Sequence, residues 1–366
     1  MSNKIRVAIL FGGRSAEHEV SLQSARNIIN AIDQSKYDPV LIGIDRGGAW
    51  FLNDDSISLL NADNPRLIAL NQQNKSVSLV PGDRAGVLVG LQESVSIPPV
   101  DVLFPVLHGP YGEDGSVQGL ARLANVACVG SDILGSAVGM DKDVSKRLLR
   151  DAKIPVAKHL CLRRRDVDEG LAQRVADELG YPAYVKPSNM GSSVGVVRVE
   201  TADELPDAVE YAFRYDTKIV IEETIVGREI ECSVLGNDEA IASGVGEIVT
   251  EDGFYSYEKK YIDEDAAKLR IPAELDADTV ERVREVAVAS FKVLECRGMA
   301  RVDMFLTGSG EIYLNEVNTI PGFTAISMYP KLWEAAGISY TDLIGRLIEL
   351  ALEEHADKSA LQTTGY

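Results

Sequence analysis

The chain alternates between strand-like and helix-like hydrophobic spacing. Residues 5–11 are apolar except for Arg6 and read as a buried strand. Gly12–Glu19 follows as a turn, after which Val20, Leu22, Ala25, Ile28, Ile29 and Ile32 recur at helical spacing. Val40–Ile44 is a second strand. A strand, a glycine turn, a helix and a strand form a βαβ unit, so the chain opens as an α/β fold. Gly12–Gly13 lacks the full GxGxxG pattern, so no dinucleotide site is supported. Order fades over residues 45–98, where polar residues interrupt short apolar runs, and this region reads as an insertion or excursion. Val100–Val106 resumes as a buried strand and enters the glycine-rich loop His108–Gly115. Open α/β sheets place ligands at such strand ends. His108 reads equally as a ligand contact or as a hydrogen-bonded loop histidine.

From about Gly139 the pattern belongs to a new domain. Helices are expected over 141–152, 169–180, 276–294 and 340–356, the first carrying Lys142, Lys146 and Arg147. Strand-like residues flank the loop Gly191–Ser192–Ser193–Val194–Gly195, with Lys186 just before it. A Walker P-loop leads from strand to helix, so this is a different device. The N–H groups of a small-residue hairpin loop still close over a polyphosphate; a plain hairpin turn is the other reading. Strands over 219–223 and 230–235 bracket a turn at Gly227–Arg228–Glu229. Glu222, Glu223 and Glu229 are either acceptors for adenine and ribose or surface residues. Phe254–Tyr261, aromatic within an acidic stretch, reads as a lid that excludes water or as a loop anchored by its rings.

The most informative stretch is the alternating pair 298–306 and 311–318 around Thr307–Gly310, a β-hairpin. Pairing Thr307 with Gly310 sets Asp303 opposite Leu314 and Arg301 opposite Glu316. Arg301, Asp303, Glu316 and Asn318 then share one face, while Val302, Met304 and Val317 face a core. That polar face is either solvated, with an Arg301–Glu316 ion pair, or a hard-cation site of oxygen ligands. A one-residue slip would split the group. The following turn, Thr319–Met328, can present the Gly322 N–H and the Ser327 hydroxyl over this face.

Composition narrows the function classes. At 366 residues, two or three domains are expected. A net charge of −19 argues against a general nucleic-acid or anionic-membrane binder. Anionic substrates must therefore meet local lysines, arginines and metal ions. The four cysteines form no CxxC pair, the usage of a reducing compartment. With no signal-peptide layout and no apolar run of ~18 residues, a cytoplasmic protein is expected.

Taken together, FGGRSAEHEVS (11–21), HGPYGEDGSVQG (108–119), MDK (140–142), KPSNMGSSVG (186–195), GREIE (227–231), KKY (259–261), ARVD (300–303) and NEVNTIPGFT (315–324) resemble the D-alanine–D-alanine ligases of the ATP-grasp superfamily. The resemblance runs essentially end to end. It implies an N-terminal open α/β sheet domain (1–138) followed by a two-part ATP-grasp fold (139–228 and 229–366). It also implies ATP- and Mg²⁺- (or Mn²⁺-) dependent ligation of two D-alanines through an acylphosphate, for peptidoglycan precursors, by a homodimer. By motif, Glu17 would bind the amino group of the first D-alanine, linked to Ser192 and Tyr261, with His108 nearby. Lys142, Lys186 and Ser193 would lie on the ATP phosphate side, and Lys260 would reach phosphate or substrate from the lid. Glu222 and Glu229 would take adenine and ribose, with Phe254 packing at the nucleotide. Asp303, Glu316 and Asn318 would hold two metal ions, and Arg301 with the Gly322 N–H would form an oxyanion site. Gly322, Ser327 and Met328 would receive the second D-alanine. Tyr261 favours an amino-acid acceptor. The alternatives are D-serine or D-lactate as acceptor, or a nucleotide-binding relative without catalysis.

Overall fold

β1 (Ile5–Gly12) is the spine of the first sheet, with α1 (His18–Ala31) after it and β2 (Tyr37–Ile44) parallel beside it. Residues 7–11 are fully buried, which explains their unbroken apolar run: a central parallel strand is covered on both faces. The coordinates are a computed structural model that describes residues 4–53, 59–60, 69–70, 75–82, 85–91, 97–249 and 268–362. Part of the insertion or excursion expected over 45–98 is strand. β3 (Trp50–Asn53), β6 (Lys75–Leu79) and β7 (Leu88–Gly90) extend the first sheet antiparallel from β2, while β4 (Leu59–Leu60) pairs separately with β5 (Ala69–Leu70). Outer strands are short and half-solvated, so their apolar residues alternate instead of running together: in β6 only Val77 and Leu79 are buried. On the other side of β1 lie β8 (Val102–Val106), α2 (Ser116–Leu123) and β9 (Ala127–Cys128), giving the order β7-β6-β3-β2-β1-β8-β9.

α3 (Ile133–Met140) leads into α4 (Lys142–Asp151), capped by Asp141, whose carboxylate accepts from the N–H groups of Asp143 and Val144. The second sheet is antiparallel, in the order β10 (His159–Arg163), β13 (Lys218–Glu223), β11 (Ala183–Pro187), β12 (Val197–Val199). α5 (Leu171–Glu178) and α6 (Leu205–Ala212) share a core with Val185, Ile219 and Ile221 of this sheet.

The third sheet runs β16 (Lys268–Arg270), β15 (Ile241–Val249), β14 (Gly227–Gly236), β17 (Gly298–Thr307), β18 (Ile312–Asn318). Gly227–Glu229 belongs to β14, not to a turn, because all three residues pair with β17. α7 (Ala277–Val293) buries Val283, Ala287 and Phe291 against Val302, Met304 and Leu314. α8 (Met328–Ala335) and α9 (Tyr340–Ser359) close the fold. Leu343, Ile344, Leu347 and Ile348 of α9 share one core with Val7, Ile9, Val102 and Phe104, so the last helix covers the first sheet.

The β17–β18 hairpin departs from its expected register twice. Thr307 meets Glu311 instead of Gly310, which lengthens the turn by one residue. A bulge between Asp303 and Met304 on β17 and Glu316 and Leu314 on β18 then adds Asn315. The observed pairs are therefore Asp303 with Glu316 and Arg301 with Asn318. Each slip alone would flip the strand; two restore the parity, so the four polar residues do share a face. Val302, Met304 and Val317 point into the core.

Candidate active site

A cavity of about 340 Å³ lies between the second and third sheets, lined among others by Lys142, Lys186, Ser193, Glu222, Glu229 and Glu316. β11 and β13 are adjacent, which places Lys186 Nζ 2.8 Å from Glu222 Oε2. Asp141 starts α4 so that Lys142 in its first turn reaches the third sheet: its Nζ lies 3.6 Å from Glu316 Oε2 and donates to the Met190 carbonyl at 2.7 Å. Burial alone would raise the Glu222 carboxyl, but the ammonium groups of Lys146 and Lys186 outweigh it and hold Glu222 at about 2. Burial likewise opposes the charge on Lys186, yet Glu222 lifts its pKa above the ordinary lysine value. The cavity thus brings Lys142 of α4 and Lys186 of β11 to Glu316 of β18 and Glu222 of β13.

On the hairpin face Arg301 makes a two-pronged contact with Asp303, at 2.8 and 2.7 Å, and lies 2.9 Å from Glu231. Asn318 Nδ2 donates to Asp303 Oδ2 at 3.1 Å. Asp303, Glu316 and Asn318 offer hard oxygen donors on adjoining strands, a donor set suited to a divalent cation that also takes phosphate oxygens. Among the described residues no group of three His, Cys, Asp or Glu side chains gathers at one point, so phosphate or water oxygens would have to complete any such site.

A second cluster forms at the carboxyl end of the first sheet. Glu17, buried before α1, accepts a hydrogen bond from the Ser192 hydroxyl, 175 residues away in sequence. Ser192 and Ser193 both take left-handed backbone conformations, φ +50° and +59°, which turn the Gly191–Gly195 loop towards Glu17. A Cβ on Gly191 or Gly109 would come within 3.1 or 3.3 Å of Glu17 Oε2, so these glycines leave that oxygen approachable. His108 Nδ1 donates to the Ile320 carbonyl at 3.0 Å, leaving the buried Nε2 without a hydrogen-bond partner among the described residues. Burial lowers the His108 pKa, so the imidazole is neutral with Nε2 as its acceptor.

Beyond β18, the Ser327 hydroxyl lies 2.9 Å from the Thr324 N–H, which donates to it, and 2.8 Å from the Thr324 hydroxyl. Gly322 stands against the same hydroxyl. Met328 turns its side chain into a small apolar cluster with Ile248 and Leu332. Phe254, Lys260 and Tyr261, with the lid expected around them, lie outside the described residues.

Three residues of this region have no role in the sequence reading. Glu231 is buried against Arg301, and its signal was present: in GREIE it shares a strand face with Glu229. Glu113 accepts from the N–H groups of Gly109 at 3.0 Å and Ile320 at 3.2 Å. Burial, with Glu17 beside it, pushes its carboxyl up to about 8. Lys146 lies buried 3.4 Å from Glu222 Oε1.

With this geometry in place, comparison with known proteins is informative. Residues 6–131 match the family description "D-ala D-ala ligase N-terminus" and residues 148–349 match "D-ala D-ala ligase C-terminus". The chain is 55% identical over 361 residues to the D-alanine–D-alanine ligase of Shouchella clausii, covering 99% of this chain and 98% of that one. It superimposes on the D-alanine–D-alanine ligase of Coxiella burnetii with a TM-score of 0.85 at 38% identity, over 98% and 97% of the two chains. The VanG D-Ala:D-Ser ligase of Enterococcus faecalis gives a TM-score of 0.83 at 39% identity, over 95% and 100%.

Proposed function

The chain belongs to the D-alanine–D-alanine ligase family, and from that premise we propose how its residues divide the work. It is an ATP-dependent ligase that joins two D-alanines. A carboxylate is a poor electrophile, so ATP first converts the carboxyl of one D-alanine to an acylphosphate. The amine of the second D-alanine then attacks the acyl carbon, and phosphate leaves from the tetrahedral intermediate. The observation that carries the assignment is the Lys142–Glu316 contact of 3.6 Å, which joins the basic wall of the cavity to the polar hairpin face.

Lys142, Lys186 and Ser193 meet the ATP phosphates, and Glu222 and Glu229 take adenine and ribose, with Phe254 beside the nucleotide. Glu17 receives the ammonium of the first D-alanine, positioned by Ser192 and Tyr261, with His108 alongside. Gly322, Ser327 and Met328 receive the second. Negative charge grows on the acyl oxygen during attack, and Arg301 with the Gly322 N–H are the donors that meet it. Lys260 reaches phosphate or substrate. Asp303, Glu316 and Asn318 would hold two Mg²⁺ (or Mn²⁺) ions, which when bound neutralise phosphate oxygens. Lys142, which faces Glu316 at 3.6 Å, is placed to turn to a nucleotide phosphate, and Glu316 would then be available as a metal ligand.

We place the parts at 1–138 for the first D-alanine, 139–228 for one wall of the nucleotide cleft and 229–366 for the other wall and the metal. We also place the enzyme in the cytoplasm as a homodimer, making peptidoglycan precursors; sedimentation velocity would reveal a monomer. Among the described residues no helix is long and apolar enough to cross a membrane. The functional test is phosphate release from ATP and Mg²⁺ with D-alanine alone and paired with D-serine or D-lactate. Release that requires D-alanine, with D-alanyl-D-alanine as product, is expected. Release independent of D-alanine would overturn the reading.

A further inference from the structure

Lys146 stands behind the nucleotide cavity with no part in the reaction as set out above. It follows Lys142 by one helical turn on α4, and its side chain is 1% exposed. Its ammonium makes no hydrogen bond among the described residues. It lies 3.4 Å from Glu222 Oε1, an oxygen that also lacks a hydrogen bond, while the other oxygen of Glu222 accepts from Lys186 at 2.8 Å. A buried ammonium and a half-buried one therefore share one buried carboxylate.

That arrangement is redundant while Lys186 stays on Glu222, and it ceases to be redundant once Lys186 moves. Lys186 lines the cavity, whereas Lys146 does not. A phosphate entering the cavity competes with Glu222 for Lys186, and a buried carboxylate that loses its only cation is strongly destabilised. The other groups facing Lys146 cannot take over: Lys142 points to Met190 and Glu316, and His159 of β10 is held at 3.3 Å by Asp143. Burial pulls the Lys146 pKa below the ordinary lysine value and Glu222 opposes that fall, so its charge depends on this carboxylate. Resting on the assignment of Lys186 to the ATP phosphates, we propose that Lys146 is the reserve counter-ion of Glu222. It keeps the carboxylate charged and aimed into the cavity when nucleotide phosphate draws Lys186 away. Lys146 is thus a positioning residue that acts on the nucleotide through Glu222.

The test compares ATP with adenosine, which has no phosphate to draw Lys186 away. In Lys146→Met, calorimetric titration should show ATP affinity falling about tenfold or more while adenosine affinity changes less than about threefold. At saturating D-alanine, KM for ATP should rise with the dissociation constant while kcat stays within about threefold, the mark of a lost ground-state contact. Lys146→Arg retains the charge and should bring ATP affinity back towards wild type. Should Lys146→Met fail to fold by circular dichroism, Lys146→Gln carries the same comparison. Equal losses for ATP and adenosine, or no loss for either, would overturn the proposal. Lys186→Met separates the two levels: if it weakens adenosine as much as ATP, the phosphate assignment of Lys186 itself is wrong.

Discussion

At the scale of single residues, the hairpin face makes the sharpest demands. Glu316 is the carboxylate that Lys142 reaches from the opposite wall, so removing it disturbs both the charge balance of the free enzyme and the proposed metal site. Glu316→Ala should lower kcat about 1,000-fold or more, the scale of several kcal/mol of lost charge stabilisation, while its circular dichroism spectrum stays native. Activity near wild type would show that the metal ligands lie elsewhere. Gly322 makes a different demand, for space. A Cβ there would come within 2.7 Å of Ser327 Oγ, too close to coexist, so that hydroxyl must leave its position on Thr324. Gly322→Ala should raise the KM of the second D-alanine more than that of the first. Equal rises at the two sites would mean that Gly322 does not border the acceptor.

At the scale of elements, what the sequence revealed depended on how local the cause was. The apolar run of β1 and the helical spacing of α1, α7 and α9 are local, and their residues announce them. β3, β6 and β7 were hidden because a short strand at the open side of a sheet buries few residues and carries little pattern. The polar set Arg301, Asp303, Glu316 and Asn318 could be read from strand alternation, although its pairing could not. The three-residue loop between Thr307 and Glu311 and the bulge at Asn315 depend on tertiary context, and the two slips cancel in parity. Lys146 and Glu113 were missed because each acts across the fold, on Glu222 and on Ile320, and no local spacing marks such a partner. The bulge yields an element-level prediction. Deleting Asn315 would close the bulge and leave Met304–Leu314 and Asp303–Glu316 as successive pairs of a regular ladder, with Glu316 and Asn318 still on the polar face. The deletion variant should therefore fold and keep measurable ligase activity, checked by circular dichroism and phosphate release. A native spectrum with no activity would show that the twist added by the bulge, and not strand alternation alone, sets the catalytic face.

At the scale of the whole molecule, the active site depends on how the first sheet is joined to the third. α9 covers the first sheet, and the loop His108–Glu113 grips the Ile320 peptide from both sides, its carbonyl through His108 and its N–H through Glu113. That peptide precedes Pro321–Gly322, so the grip fixes the distance between the two proposed D-alanine sites. It also carries a titration. The folded protein holds the Glu113 carboxyl at about 8 against an ordinary value of 4.5, because burial and Glu17 disfavour its charge. Between those two values the folded state retains a proton that the unfolded chain has lost. Unfolding releases that proton, so this group's contribution to stability is full at low pH and declines as pH rises through the window. Glu113→Gln, neutral at every pH, removes that slope. Thermal melts from about pH 5 to 8 should show wild-type stability falling with pH, and the variant falling less steeply. Parallel curves would mean that Glu113 is ionised throughout. The joint would then be held by a buried carboxylate between two N–H donors, and the same substitution would weaken it equally at every pH.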